Sequence, residues 1–397
     1  MNNIKSFGEV LCALHNYCQK EKYKGYSLLD SHNSPIPFRM FGNKISFIIN
    51  QISKRSPINI RPLIGVKKDI NPKAYGLLLH AYSLLSQMDV ISPQEAEKKA
   101  QYFFDWLTRN PSQGYSGHCW GYNYYWPKRD GSGVPAYTPS VVVTGFIARS
   151  MLVYYEVFKV DTIKKILKSS AQFVLNDIHL YKGHDGYCFS YTPVKRDKTV
   201  NASLLASEIL AYCDYVNAED KYQSYIENVI KFTFNNQNED GSWYYSFHYD
   251  TGKPKKQIDF HQGYVLESIL RLSQYTKIDC EKYHDKIQKG LAFYYNNQFD
   301  KEGFAYWRLP QKWPVDIHNQ SQGIITFSSF RDYHENYLRF AKQITQWTIE
   351  NMQGPRGNFY YQKWPLITNK ISYLRWNQAW MMLALVLLLS ATGRLKS

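Results

Sequence analysis

The sequence contains six strongly apolar helical segments at near-regular intervals, and this repeat restricts the chain to few folds. They span 71–85, 138–156, 201–216, 260–275, 319–330 and 375–390. Segments with charged faces precede or separate them, at 4–20, 92–109, 161–178, 219–237, 280–298 and 331–353. Helices that are apolar all round are buried, whereas helices with one apolar stripe lie outside. The alternation predicts six inner and six outer helices in an all-α (α/α)6 toroid of six helical hairpins.

The turns that follow the outer segments repeat as well. NQNEDGSWYYSF (236–247), NNQFDKEGFAYW (296–307), ENMQGPRGNFYY (350–361) and, more loosely, YKGHDGYCFSY (181–191) each combine a Gly turn with alternating aromatic residues. This pattern is typical of short β-hairpins. We expect these hairpins to emerge together at the mouth of a central cavity.

One segment, 21–73, does not fit the repeat. It is rich in Pro, Asn and Gly around a helical stretch near 40–54. About 50 residues with few apolar positions would make only a marginal core of their own. We therefore expect a single domain over 1–397, with 21–73 as a long irregular connection over the mouth.

Charge and aromatic content restrict the classes of partner that the chain is expected to bind. The chain has 48 Lys and Arg against 33 Asp and Glu, a net charge of +15, which favours an anionic glycan, nucleic acid or a membrane surface. The basic residues are scattered and accompany no nucleic-acid motif, so we expect no nucleic-acid partner. The 34 Tyr exceed what a core requires, because each buried phenol needs a hydrogen-bond partner. Many of them should line a groove.

Cysteine spacing and hydropathy indicate the cellular compartment in which we expect the protein. The six cysteines lie far apart with no C-x-x-C, which favours a reducing compartment over a disulfide framework or a zinc knuckle. The N-terminal residues lack the apolar stretch of a signal peptide. The most apolar run, 380–389, is half the roughly 20 residues of a membrane helix. We expect a cytoplasmic protein with no transmembrane span.

A D-x-H pair occurs at the starts of two inner segments: Asp259 with His261, followed by Gln262, and Asp316 with His318. Helix N-termini favour anions, so this pattern predicts a site for a uronate carboxylate. His would give or take a proton there, and Asp would fix its tautomer. Helix capping by Asp is the alternative, although capping alone does not require His in both repeats.

The segment 117–133, GHCWGYNYYWPKRDGSG, concentrates aromatic residues before the second inner segment. Sugar rings stack on such side chains, and Tyr122 or Tyr124 can donate a proton if nearby cations lower its pKa. The predicted substrate-binding residues here and in later turns are His118, Trp120, Trp126, Trp243 and Trp307. The alternative is a hydrophobic plug that closes the toroid.

The Asp and Glu side chains are further candidates for catalytic residues. A hydrolase needs two carboxyl groups at a defined separation, and the available ones are Asp185, Asp240, Glu208, Glu267, Asp259 and Asp316. Asp185 and Asp240 precede Gly and suit turns, whereas Glu208 and Glu267 lie inside inner segments, where a charge must be paired or functional.

Arg375 and Asn377 begin the last inner segment, with Arg308 and Arg61 as possible companions. An Arg that faces the mouth can clamp a carboxylate with two hydrogen bonds, although a structural salt bridge explains it equally well. The chain shows no metal-ligand spacing, since the one His and one Cys of GHCW have no partner motif. We expect neither a metal nor a cofactor.

The string Q-x-x-D-G-S-W at 237–243 resembles the repeat of class II terpene cyclases and prenyltransferase subunits, and the hairpin series resembles the six-hairpin glycosidase superfamily. The relatives of that superfamily include glucuronyl C5-epimerases, unsaturated-uronide hydrolases and toroidal polysaccharide lyases. The resemblance covers nearly the whole chain as architecture. The D-x-D-D acid motif of the cyclases and the W-Y-E-E-Y-P-like string of animal glucuronyl C5-epimerases are both missing from the sequence.

Taken together, these features predict an enzyme that acts on an anionic, uronic-acid-containing glycan or a lipid-linked oligosaccharide precursor, in making or remodelling polysaccharide. The favoured chemistry is abstraction of the C5 proton, as in lyases and epimerases. The alternatives are a glycoside hydrolase with paired carboxylates, a non-catalytic glycan-binding protein and an isoprenoid-binding toroid. Substitution of His261 and His318 by alanine separates catalysis from binding alone.

Overall fold

The fold is a closed ring of helical hairpins. A computed structural model describes residues 6–128 and 133–393. Thirteen α-helices lie in these ranges: α1 (Phe7–Lys20), α2 (Asn43–Arg55), α3 (Pro72–Leu85), α4 (Pro93–Arg109), α5 (Val141–Phe158), α6 (Thr162–Asp177), α7 (Val200–Asn217), α8 (Gln223–Asn235), α9 (His261–Tyr275), α10 (His284–Asn297), α11 (Ile317–Ser329), α12 (Glu335–Met352) and α13 (Trp380–Ala391). A π-helical turn, Leu374–Ala379, precedes α13.

Six of these helices form the inner wall. Helix α3 packs on α5, and the contacts continue through α7, α9 and α11 to α13, which returns to α3 and closes the ring. Each inner helix also packs on an outer partner: α4, α6, α8, α10, α12 and, for α13, α1. The predicted (α/α)6 toroid is thus confirmed, because segments without a polar face are buried on all sides and the amphipathic ones cover them.

Ten short strands lie in the connections: β1 (Trp126–Pro127), β2 (Gly133–Val134), β3 (Leu180–Gly183), β4 (Gly186–Phe189), β5 (Lys198–Thr199), β6 (Ser246–Phe247), β7 (Pro254–Lys255), β8 (Val315–Asp316), β9 (Gln362–Lys363) and β10 (Thr368–Asn369). They pair antiparallel as β1–β2, β3–β4, β5–β6–β7 and β8–β9–β10. The predicted excursions are therefore hairpins and small sheets before the inner helices.

A repeated polar clamp ties each later turn to its inner helix. Gln262 accepts a hydrogen bond from the backbone N of Trp243 (2.8 Å) and donates to its carbonyl (2.7 Å). Gln378 holds Phe359 in the same two ways, at 2.9 and 2.8 Å. Gln320 accepts from the backbone N of Ala305. These clamps satisfy buried backbone groups that the short turns leave without strand partners.

The turns themselves share one geometry. Gly241, Gly303 and Gly357 all have positive φ, at 91°, 99° and 85°. Glycine adopts this left-handed region without the steric cost that a Cβ atom imposes. The Gly in each repeated turn motif is therefore required by the backbone.

Two helices, Val141–Phe158 and the Leu374–Ala391 stretch, are long and apolar enough by length and composition to cross a membrane. In each, 78% of the window is buried inside the protein. Their apolar surface is therefore occupied by packing against neighbouring helices.

Candidate functional site

Two histidines from different repeats meet at one tyrosine at the N-terminal ends of the inner helices. The Nε2 atom of His318 lies 2.6 Å from the hydroxyl of Tyr264. The ring of His261 lies edge-on to Tyr264, with 5.6 Å between ring centroids. Phe260 packs between the histidines, 4.2 Å from His261 and 4.4 Å from His318. The structure thus places the two predicted acid–base histidines in one cluster.

The first D-x-H pair forms a hydrogen-bonded dyad. Asp259 Oδ1 lies 2.5 Å from His261 Nδ1 and also accepts the backbone N–H of His261. Burial opposes ionisation of Asp259, but the neighbouring His261 outweighs it and holds the pKa of the carboxyl below its ordinary value. An ionised Asp that accepts from Nδ1 leaves Nε2 of the imidazole as the proton acceptor.

The second pair is arranged differently. Asp316 Oδ1 accepts from the backbone N of His318 (2.9 Å) and from Trp376 Nε1 (2.8 Å), and Oδ2 accepts from Gln362 (2.8 Å). Burial raises the pKa of Asp316 to about 6, although these hydrogen bonds act in the opposite direction. Asp316 therefore caps α11 and positions Trp376, which stacks on His318 at 4.4 Å.

The two D-x-H pairs also differ in their position relative to the helix that follows. The clamp residues Gln262 and Gln320 define the register of the two helices. Asp259 lies three residues before its clamp, whereas Asp316 lies four before. One residue of offset in a helix start turns the side chain through about 100°. As a result, Asp259 is hydrogen-bonded to the side-chain Nδ1 of His261, whereas Asp316 accepts only from the backbone N of His318.

Two buried cations complete the cluster. The Nζ atom of Lys73 lies 4.0 Å from the ring centroid of Phe146 and 5.7 Å from that of Tyr264. The guanidinium of Arg375 lies 4.8 Å from the ring centroid of Tyr122. Burial is the main cause that keeps the pKa of Lys73 well below its ordinary value, and Arg375 adds to it. The mouth thus offers the positive charge of Arg375 next to the His–Tyr pair, whereas Lys73 loses its proton more readily than an ordinary lysine.

Burial is the main cause that sets the protonation of the His–Tyr pair. Burial, with Lys73 and Arg375 acting in the same direction, holds the pKa of His318 well below its ordinary value. Burial raises the pKa of Tyr264 well above its ordinary value. At neutral pH the pair is a neutral imidazole and a neutral phenol, which can pass a proton in either direction.

The predicted tyrosines of the mouth lie beside Arg375. Tyr122 and Tyr124 stack at 5.2 Å, and Tyr122 is the more exposed of the two. We expected nearby cations to lower a tyrosine pKa, and for Tyr124 this is wrong, because burial outweighs Arg375 and raises its pKa. Tyr124 therefore remains a phenol that packs and hydrogen-bonds.

Several predicted binding residues lie in the scaffold. Trp120, Trp243, Gln262 and Asn377 are almost fully buried, and their side-chain N–H groups donate to protein carbonyls. Trp120 donates Nε1 to the carbonyl of Leu107, Trp243 donates Nε1 to Thr233, and Asn377 donates Nδ2 to Phe359 and Ile371. Gln262 is the clamp described above. These four side chains are part of the wall of the ring.

The other predicted residues are dispersed. His118 Nδ1 lies 3.0 Å from the hydroxyl of Ser169 on the outer helix α6, so it lies at the perimeter. Trp126 is exposed in β1, near the middle of the segment 117–133, whose residues 129–132 lie outside the described ranges. The guanidinium of Arg308 lies over the ring of Trp307, and Nε of Arg308 lies 3.6 Å from Oδ2 of Asp259. Of these three, Trp307 lies nearest to the histidine cluster.

The candidate hydrolase carboxylates are engaged elsewhere. Glu208 and Glu267 both pair with Arg149, at 2.6 and 3.1 Å, deep among the inner helices. Asp240 accepts from the backbone and hydroxyl of Ser242, and Asp185 accepts from Asn236 across the turn. Within the described ranges, no group of three or more His, Cys, Asp or Glu side chains could hold a metal ion.

The segment 21–73 contacts the mouth from both sides. Asn33 donates to the carbonyl of Asn123 (2.9 Å), and Asn71 donates to its side chain (3.1 Å). On the other side, Asn369 donates to the carbonyl of Ser56 (3.1 Å). Arg61, fully buried, ties this segment together through Asp30 at 2.5 Å. Its helix α2 (Asn43–Arg55) overlaps the helical stretch predicted near 40–54.

Sequence reasoning missed Tyr264, Lys73 and Trp376. Tyr264 follows His261 by three residues, a spacing that places two side chains on the same face of a helix. Lys73 is a basic residue in the first turn of α3, an inner helix whose side chains are nearly all buried. Both signals were present in the sequence, and neither singles out a residue until the helices are placed in the ring.

No family model matches the chain, and no curated protein matches it. Solved structures do. A possible member of glycoside hydrolase family 105 from Salmonella enterica is 10% identical over 98% of this chain and 96% of its own, with a TM-score of 0.65. The cellobiose 2-epimerase of Bacillus thermoamylovorans is 14% identical over 80% and 87%, with a TM-score of 0.64.

A family 76 α-mannanase of Bacteroides thetaiotaomicron is 14% identical over 82% of this chain and 87% of its own, with a TM-score of 0.61. These neighbours belong to the six-hairpin glycosidase-like (α/α)6 toroid superfamily, so the resemblance noted in the sequence is confirmed at the level of the fold.

Proposed function

We propose that this protein is a carbohydrate-active enzyme that abstracts the C5 proton of a uronic-acid residue, in the manner of a lyase or an epimerase. The observation that carries the proposal is the meeting of the Asp259–His261 dyad and the His318–Tyr264 pair beside Lys73 and Arg375. The structural neighbours, which include a mannanase and an epimerase, support a sugar substrate. A uronate suits the excess of positive charge.

The cations supply the first requirement of this chemistry. The C5 proton is acidic only when the charge that develops on the adjacent carboxylate is stabilised. Arg375 would bind that carboxylate with two hydrogen bonds, and the Lys73 amine would add a further hydrogen-bond donor. Both side chains are buried, where electrostatic interactions are stronger than in water.

The histidines supply the second requirement, which is a group that accepts the C5 proton. His261, whose Nδ1 is held by Asp259, would take the C5 proton on Nε2. In elimination, the C5–H electron pair forms the C4–C5 double bond, the C4–O bond breaks, and the leaving oxygen receives a proton from Tyr264. In epimerisation, a proton returns to C5 from the opposite face. With its own proton on Nε2, His318 donates to the Tyr264 oxygen and leaves the phenol proton free for the substrate.

The test compares three variants on a panel of uronic-acid oligosaccharides. His261→Asn and Tyr264→Phe should each lower kcat by at least about a hundredfold, because each removes a proton-transfer group. Trp120→Phe is the control, since Trp120 is an aromatic residue in the wall. The proposal fails if the first two variants retain wild-type turnover while folded.

One observation favours a second candidate, a glycoside hydrolase with Asp316 as general acid. A carboxyl with a pKa of about 6 is partly protonated at neutral pH, as that role requires. In that case Asp316→Asn would abolish the release of new reducing ends. His261→Asn would leave much of that activity.

A further inference from the structure

Helix α2 has its polarity reversed relative to an ordinary surface helix. The side chains that face the protein are small and polar, and Ser46, Asn50 and Ser53 are almost fully buried. The side chains that face outward are Ile45, Ile48 and Ile52, which are 45, 52 and 53% exposed. A surface helix of a globular protein normally buries its apolar stripe. The exposed stripe therefore needs an apolar environment outside the chain.

The apolar surface continues beyond the helix. Met40 and Phe41 precede α2 and are exposed, as is Ile58 after it. The β9–β10 hairpin adds exposed apolar side chains at its tip, Trp364, Leu366 and Ile367, with Leu366 96% exposed. Asn369 of β10 donates to the carbonyl of Ser56 just after α2, so hairpin and helix are neighbours. We call α2 and this hairpin tip the apolar rim.

Lys and Arg predominate around the apolar rim, although Arg61 pairs with the buried Asp30 and Lys68 pairs with Glu21. The sequence from 31 to 68 contains seven Lys and Arg and no Asp or Glu. No Asp or Glu follows Glu350, whereas Lys363 and Lys370 flank the hairpin. At the foot of the rim, a depression is lined by Lys24, Lys68, Arg356 and Lys370, with Glu21 as its acidic member. Apolar side chains flanked by cations match the layered chemistry of an anionic lipid surface, acyl chains beneath negative headgroups.

We propose that the apolar rim docks on an anionic lipid bilayer, with Ile45, Ile48, Ile52 and the hairpin tip inserted at the level of the headgroups. This interaction surface goes beyond the proposed reaction and does not depend on it. Because 21–73 also contacts Asn123 in the loop before β1, docking would hold the mouth close to the membrane. A glycan linked to a lipid would then reach the histidine cluster without leaving the bilayer.

The test is flotation of the full-length protein with vesicles of phosphatidylcholine alone or mixed with phosphatidylglycerol. We expect binding to the mixed vesicles and a decrease with added salt, because screening weakens contacts between surface charges. Ile45→Ser/Ile48→Ser/Ile52→Ser should weaken binding at least about tenfold. Lys44→Glu/Arg55→Glu should remove the preference for the anionic lipid.

Matched controls lie away from the rim. Tyr215→Ser/Tyr333→Ser removes exposed apolar side chains at the opposite ends of α7 and α11, and Lys165→Glu/Lys342→Glu makes the same charge change on outer helices. Both should bind like the wild type, and all variants should keep its melting temperature. The proposal is overturned if the wild type does not float with mixed vesicles. It is also overturned if the triple Ser variant floats equally well, or if the rim pairs two copies of the chain in solution.

Discussion

Replacement of Arg149 by Met should strongly destabilise the fold, because Arg149 is the cation for two buried carboxylates. Its Nε and Nη2 atoms lie 2.9 and 2.6 Å from the carboxylate oxygens of Glu208, and Nη1 lies 3.1 Å from Oε2 of Glu267. All three side chains are at most 4% exposed. Removal of one partner of a buried ion pair typically costs about 3 to 5 kcal/mol, and here two carboxylates lose their partner. We expect the upper end of that range.

The pH dependence of this loss gives a second check. In the wild type, burial opposes ionisation of Glu208, but Arg149 outweighs it and holds the pKa below its ordinary value. At Glu267, burial outweighs Arg149 and the pKa is raised. Without Arg149 both pKa values rise above those of the unfolded chain. The destabilisation should then be full at neutral pH and shrink as the pH falls towards about 5, because protonation removes the buried charges.

Urea unfolding followed by circular dichroism measures the effect. Arg109→Met is the matched control, since Arg109 is 77% exposed and its carboxylate contact with Asp105 spans 3.8 Å. That variant should stay within about 0.5 kcal/mol of the wild type. The triple variant Arg149→Met/Glu208→Gln/Glu267→Gln should recover much of the loss, because it removes the charges together. A loss below about 1 kcal/mol for Arg149→Met would refute the assignment of the triad as a mutually dependent unit.

Three further predictions address the mouth and the wall. Asp316 has a pKa raised to about 6 in the fold, so the folded state holds its proton more tightly than the unfolded chain. Stability should therefore fall by about 3 kcal/mol as the pH rises from about 3 to 7, and Asp316→Asn should flatten that slope in pH-dependent urea unfolding. Gln262→Ala should lower stability by about 1 to 3 kcal/mol, since it leaves the Trp243 backbone groups unpaired, while the exposed Gln274→Ala should not. Arg375→Met should raise KM for a uronate at least about tenfold and leave a neutral sugar unaffected, as measured by isothermal titration and initial rates. Equal losses for both sugars would count against Arg375 as the carboxylate clamp.

Much of the fold was predictable because its rules are local. A segment such as that of α13 has no polar face, so it can only be buried, and the charged stripe of α4 can only lie outside. The closure of the ring followed from the number of such alternations. The register of the hairpins was not predicted, although Gln262, Gln320 and Gln378 recur at intervals of 58 residues.

The site was only partly predictable, because its members come from distant repeats. His261, His318 and Arg375 were marked by charge at inner-helix starts, and the ring brings them together. Trp120 and Trp243 were misinterpreted, because an aromatic residue in a Gly-rich turn looks the same in sequence whether it faces a sugar or fills the wall. In the sequence, Ile45, Ile48 and Ile52 have the spacing of an ordinary buried helical stripe, so their exposure could not be predicted.

The most direct test of the proposed chemistry is proton NMR in D2O of uronic-acid polymers and oligosaccharides incubated with the protein. The signals to follow are loss of the C5 proton, unsaturated products and new reducing ends. The account predicts deuterium at C5 or an unsaturated uronate with the wild type, and neither with His261→Asn. New reducing ends with the C5 proton intact would contradict it and transfer the catalytic role to Asp316.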